Sequence, residues 1–165
     1  MSHSIRISPK IKENESCFRE VFKDCADILF HTMELGRGKT VDCFVIYLEV
    51  AVSNMILEKS VLGKFINELC KVSGDEILER VEKNALGISD AVQLDTAEDV
   101  VAGVFAGDAV FFIDGYAHAV KISEKGYPSM GVSEADREKV LRGSKEGFTD
   151  SVKTNSALIR KRIRE

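Results

Sequence analysis

No stretch of this 165-residue chain approaches the roughly 18 consecutive apolar residues that a membrane-crossing helix needs. Nor does the N-terminus show a basic segment followed by an apolar signal core, so the chain as given is expected to be soluble and not secreted. Cysteine is sparse. Cys17, Cys25, Cys43 and Cys70 form no Cys-x-x-Cys pair, which excludes the spacing of a zinc site or a redox motif. Cys25 on an apolar helical stripe and Cys43 in an apolar strand read as buried thiols, which fits a reducing compartment. Of the three histidines, His3 lies in a polar tail, while His31 and His118 fall in predicted strands. No carboxylate or thiol stands at ligand spacing around them, so no metal site is expected.

The catalytic motifs are missing too. There is no Gly-x-Ser-x-Gly nucleophile elbow. Gly38-Lys39-Thr40 ends like a phosphate-binding loop, but Met33 stands where that loop needs its first glycine and strand residues follow instead of a helix. A hairpin turn is the better reading. Asp108 and Asp114 read as turn carboxylates, not as an acid/base pair. With no nucleophile–base pair and no ligand set, neither catalysis nor a cofactor is expected.

Charge is uneven. Residues 1–136 hold 14 Lys/Arg against 23 Asp/Glu, a balance of −9, whereas residues 137–165 hold 9 against 4, a balance of +5. A basic end on an acidic body fits nucleic acid, a membrane surface or a protein partner. Phe148 is the only aromatic residue of that basic segment, so nucleic acid is not the expected partner.

What is present is an alternation of helical and strand patterns. Residues 1–12 are polar and expected to be flexible, and Asn14 is expected to cap a helix carrying Phe18, Val21, Phe22 and Cys25 on one face. Leu29 to Leu35 alternates as a strand, Gly36 to Thr40 makes a turn, and Val41 to Val50 is nearly continuously apolar. Such a run predicts a central strand covered on both faces. Helices follow from Ser53 to about Lys71 and from Asp75 to Lys83, then a weak strand near Gly87 to Leu94. Another helix runs from Asp95 or Thr96 to Gly107. Ala109 to Ile113 is apolar, Asp114-Gly115 is a hairpin turn signal, and Ala117 to Ser123 returns. The order predicts an α/β fold: a single mixed sheet built from two hairpin-like strand pairs, packed with helices.

The chain then closes on Arg142 to Glu165. Thr149 is a plausible N-cap, Asp150 suits the positive end of a helix dipole, and Arg160, Lys161, Arg162 and Arg164 suit the negative end. Val152, Asn155, Ile159 and Ile163, with Leu158 alongside, predict a face that packs on the body. Asn155 interrupts that stripe and is expected to hydrogen-bond a backbone loop. Phe148 is expected to enter an apolar site, and residues 160–165 to fray because their cations repel.

Arg142, Gly143, Glu146, Gly147 and Phe148, followed by Asn155, Leu158, Ile159, Arg160, Arg162 and Ile163, carry a family resemblance. They resemble the Arg-Gly-Pro-Arg-Glu-Gly-Phe segment, and the Asn and Leu-Ile-Arg-Arg-Arg-like run after it, in the A subunits of spore nutrient-germinant receptors. These form the GerA family of endospore-forming bacteria. Gly107, Asp108, Val110, Asp114 and Gly115 match a second pattern of that family, Gly-Asp-x-Val-x-x-x-x-Asp-Gly. Ser144 stands where the family usually has proline. Met130 and Ala135 depart from an upstream pattern that Glu134 and Glu138 fit.

The resemblance implies a non-catalytic domain without cofactor, acting in receptor assembly or signal transmission during nutrient-triggered germination. The family's soluble region continues into a second α/β unit and then a membrane domain. The chain accordingly divides into a flexible segment 1–12, an α/β domain 13–148 and a junction helix 149–165. The implied partners are the B and C receptor subunits, the rest of the same chain and a small nutrient, with the membrane reached only through the later part. The implied location is the spore inner membrane, with this part on the spore-core side. Arg142, Gly143, Glu146, Gly147, Phe148, Asn155, Leu158, Arg160 and Arg162 are the expected interaction and junction residues. The alternative is a small-molecule-binding α/β regulatory module with a pocket at the sheet's edge.

Overall fold

Strand β2 (Val41–Leu48) is built from the chain's most apolar run, and from Cys43 onward every residue is buried. It lies inside a five-stranded sheet of order β1-β2-β4-β5-β3, with β1 at Ile28–Leu35, β3 at Ala91–Leu94, β4 at Ala109–Ile113 and β5 at Ala119–Ile122. The computed structural model describes residues 5–49, 61–83, 91–123, 148 and 151–163. Helices α1 (Ile11–Val21), α2 (Val61–Leu69), α3 (Gly74–Glu82) and α4 (Ala97–Phe105) pack on the sheet, and α5 spans Val152–Ile163.

Side chains alternate across a strand, so each strand feeds two cores. On one face, Cys43, Val45, Tyr47, Phe111 and Ile113 meet Leu62, Phe65 and Leu69 of α2 and Ile77 and Val81 of α3. On the other, Phe44, Ile46, Leu48, Val110 and Phe112 meet Phe18 of α1 and Val100 and Val104 of α4. Phe44 stacks on Phe112 at 4.4 Å between ring centroids, and Phe18 lies 5.2 Å from Phe112. A sheet covered on both faces explains the unbroken apolar runs of β2 and β4.

The expected mixed sheet is corrected: every strand pair is antiparallel. Continuous apolar strands often signal parallel pairing because crossover helices bury both faces. Here helices cover both faces while hairpins and longer connections reverse each neighbouring strand. The two hairpin pairs are β1–β2 and β4–β5, and short β3 joins at the edge beside β5.

The described part of the N-terminal segment, residues 5–12, is pinned, contrary to the expectation of a loose tail. Ile7 and Ile11 are buried, Ile7 N–H donates to the Asp95 carbonyl, and Ala97 N–H donates to the Ile5 carbonyl. Helix α1 starts earlier than Asn14 suggested. Its first amide, Ile11 N–H, donates to Asp114 Oδ1 at 3.0 Å, a cap supplied from across the fold. Asn14 instead sits buried inside the helix, its carboxamide bonded to both the amide and the carbonyl of Ser8. Helix α4 starts and stops where expected: Thr96 is its N-cap, with Oγ1 accepting from Asp99 N–H, and Gly107, with φ of 90°, ends the helix in the left-handed region.

Candidate interaction face around the C-terminal helix

Asp27 lies in the turn before β1, where its carbonyl accepts from Glu49 N–H and ties that turn to the end of β2. Its carboxylate receives both arms of the Arg160 guanidinium, Nε to Oδ2 and Nη2 to Oδ1, each at 2.5 Å. Ser156 Oγ, one helical turn before Arg160, adds a third bond to Oδ2 at 3.2 Å. The Arg160 guanidinium also lies over the Phe105 ring at 5.1 Å, so α5 touches the end of α4 as well.

The two charged side chains keep 22% and 21% of their exposure, which places the pair between a surface ion pair and a buried one. The Arg160 hydrogen bonds hold the Asp27 carboxyl below its usual range, and the same bonds raise Arg160. The bidentate geometry fixes the guanidinium plane, which a lysine would not do. Arg160 is therefore an anchor, not the start of a frayed end.

The apolar stripe of α5 behaves differently from its sequence expectation. Val152, Ile159 and Ile163 remain 82%, 44% and 79% exposed, while Asn155 and Ser156 are half-buried. Phe148, expected in an apolar site, is 71% exposed. The side that turns inward is not the predicted stripe: among the described side chains, Ser156 and Arg160 hold α5 through a polar clamp. Apolar surface is left open around it. Arg142, Gly143, Glu146 and Gly147 lie outside the described residues, as do Thr149 and the side chains of Leu158 and Arg162.

The turn motif is structural. Asp108 is buried, and Lys121 Nζ approaches its Oδ2 at 3.8 Å after the lysine stem crosses Gly103. Asp114 caps α1, its amide donates to the Asp42 carbonyl, and Gly115 N–H donates to the Pro9 carbonyl. The two aspartates thus secure the two ends of β4.

One polar cluster escaped the sequence reading. His118 Nδ1 sits 2.7 Å from Asp95 Oδ1, Gln93 Nε2 donates to the same oxygen, and Tyr116 Oη donates to Gln93 Oε1. The Gln93 bond, then the His118 bond, lowers the Asp95 pKa. His118 lies in the turn before β5, and strands β2 and β4 stand between β5 and the β1 strand of His31, so the two histidines do not meet across the sheet. A carboxylate 23 residues distant is visible only once β3 is placed beside β5. Among the described residues no group of three His, Cys, Asp or Glu is placed to hold a metal, and no helix is long and apolar enough to cross a membrane.

Residues 16–165 match the family model of the Bacillus/Clostridium GerA spore germination protein. The chain is 32% identical over 160 residues to the uncharacterized membrane protein YfkQ of Bacillus subtilis strain 168, covering 96% of this chain and 30% of that protein. It is 21% identical to spore germination protein KA of the same strain, covering 97% of this chain and 29% of that one. It therefore spans about a third of the length of these relatives. The N-terminal domain of the A subunit of the Bacillus megaterium spore germinant receptor GerK3 shares the fold, with a TM-score of 0.68 and 19% identity over 99% of this chain and 58% of that one. The chain belongs to the GerA family of spore germination proteins.

Proposed function

We propose that this chain is a non-catalytic domain of a germinant receptor A subunit and acts in receptor assembly or signal transmission. The observation that carries the reading is the docking of α5. Ser156 and Arg160 clamp the helix to Asp27, while Phe148, Val152 and Ile163 keep most of their exposure beside that clamp. A helix held by a polar pair and carrying uncovered apolar side chains suits a joint, because partner contacts and the clamp set its position together. Arg142, Gly143, Glu146, Gly147 and Phe148 lead into this joint, and Asn155, Leu158 and Arg162 belong to its helix. The rest of the same chain and the B and C subunits are the proposed partners, at the spore inner membrane with this domain on the spore-core side.

The test uses spores carrying the full-length protein with Arg160→Ala, or with Phe148→Ala. Nutrient-triggered germination and receptor abundance are measured together. A weakened response at normal abundance supports transmission, and lost abundance supports assembly. Normal germination at normal abundance in both variants would refute the joint.

A further inference from the structure

The two edges of the sheet are unlike. Strand β3 is four residues long, whereas β1 is eight and pairs one-to-one with β2 from Ile28↔Leu48 to Leu35↔Val41, without a bulge. Its sequence, ILFHTMEL, holds neither proline nor lysine, the residues that most often protect an edge from further pairing. Among the described residues none hydrogen-bonds to its outer side. Alternate N–H and C=O groups along β1 therefore face outward and are free to accept another strand.

Grooves flank this edge on both faces. One, of about 270 Å³, is apolar and is lined by His31, Met33, Val45, Tyr47, Leu62 and Ile66. The other, of about 390 Å³, includes Lys12, Glu15, Thr32, Glu34, Asp42 and Phe44. In this second groove Glu34 and Asp42 are register partners, both exposed. Directly opposed like charges destabilise a strand pair unless a cation sits between them. Glu15 is bonded to Arg19, and Thr40 Oγ1 gives Glu34 a single bond at 3.3 Å. Among the described residues Lys12 is the only cation in the groove lining, and with Glu15 paired to Arg19 it faces the two carboxylates of Glu34 and Asp42, so the wall stays acidic.

We propose that the outer edge of β1 takes up an extended polypeptide segment of a partner, with residues that alternate between apolar and basic. Strand addition would satisfy the outward backbone groups. Its apolar residues would enter the groove beside His31 and Met33, and its cations would fall beside Glu34 and Asp42. The period of two along a strand delivers the two chemistries to the two faces.

The experiment uses the chain itself and two synthetic peptides, one alternating valine with lysine and one alternating valine with glutamate. Binding is followed by amide hydrogen exchange and by NMR shifts. The expected result is at least tenfold tighter binding of the lysine peptide, weakening with salt, and new protection concentrated in amides 28–35. The Glu34→Lys, Asp42→Lys double variant keeps a like-charge pair at the same register, so its stability is a fair match to the parent. It should reverse the preference toward the glutamate peptide. Equal binding of both peptides, no binding of either, or shifts centred away from β1 would overturn the proposal. So would a concentration-dependent dimer that protects the same amides without peptide, which would assign the edge to a second copy.

Discussion

Replacing Arg160 by alanine removes two charge-assisted hydrogen bonds to Asp27 and the guanidinium over Phe105. Each charged bond is worth about 1.5–3 kcal/mol net, and a cation over an aromatic ring adds about 0.5–1 kcal/mol. About a fifth of each charged side chain is solvent-accessible, so water can resolvate Asp27 in part once Arg160 is gone. The expected loss is therefore about 2–3 kcal/mol, below the about 3–5 kcal/mol for breaking a fully buried pair. It falls on the docking of α5 more than on global unfolding, since the pair joins α5 to the turn before β1 and lies outside both cores. Hydrogen exchange of the α5 amides is the assay, because local opening reports the docking free energy directly. The loss corresponds to roughly 30- to 150-fold faster exchange. The pH dependence has a definite sign. Asp27 has a lowered folded pKa, so its contribution is present above the unfolded value near about 3.9 and is lost as pH falls through the folded value. The gap between parent and variant should hold at neutral pH and close in acid. Val152→Ala, at a side chain 82% exposed, should change exchange by less than about 0.5 kcal/mol. Unchanged α5 exchange in Arg160→Ala, or a larger effect from Val152→Ala, would refute the clamp and restore the apolar stripe as the anchor.

Asn14→Ala should cost about 1–3 kcal/mol in urea denaturation, because it strands the amide and carbonyl of Ser8 beside α1. Gly36→Ala should cost more than about 1 kcal/mol by the same measurement. Its φ of 122° suits glycine, and an added Cβ would sit 2.6 Å from the Lys39 carbonyl oxygen. Thiol labelling at neutral pH should modify exposed Cys70 first and Cys43 last. Burial, with Asp42 and Asp114 nearby, pushes the Cys43 pKa up to about 12, so its folded-state reaction should await opening of the β2 core.

The elements legible in the sequence are those whose chemistry is local. The run from Val41 predicted a strand covered on both faces, and a helix start at Asp95 or Thr96 matches α4 as it is found. Strand β3 was faint because its four residues are held by pairing with β5, not by their own pattern. Strand direction was not legible, since an apolar run buried on both faces looks the same in parallel and antiparallel sheets. The site divides the same way. Arg160 was visible as a member of a basic run, but its partner Asp27 lies 133 residues earlier and nothing local marks it. The periodic stripe of α5 did not mark the side that turns inward, since Val152 and Ile163 stay 82% and 79% exposed. Nor did it report the ion pair between Arg160 and Asp27 that ties the helix to the turn before β1.

The Gly107-Asp108 and Asp114-Gly115 pattern shows what a recurring motif can mean when no chemistry is attached to it. Strand β4 is central, and a central strand of five apolar residues supplies no polar group to fix its own ends. At its start, Gly107 closes α4 and Asp108 draws Lys121 across Gly103 from the neighbouring strand. At its finish, Asp114 joins three segments: its own turn, the start of β2 through the Asp42 carbonyl, and the first amide of α1. Gly115 then binds the Pro9 carbonyl and holds the N-terminal arm against the same turn. These bonds join segments more than 60 residues apart, so the motif sets how the two halves of the sheet meet the arm that crosses them. Both carboxylates are taken up in contacts that join elements, so the motif belongs to the fold and the candidate surface lies elsewhere, on α5.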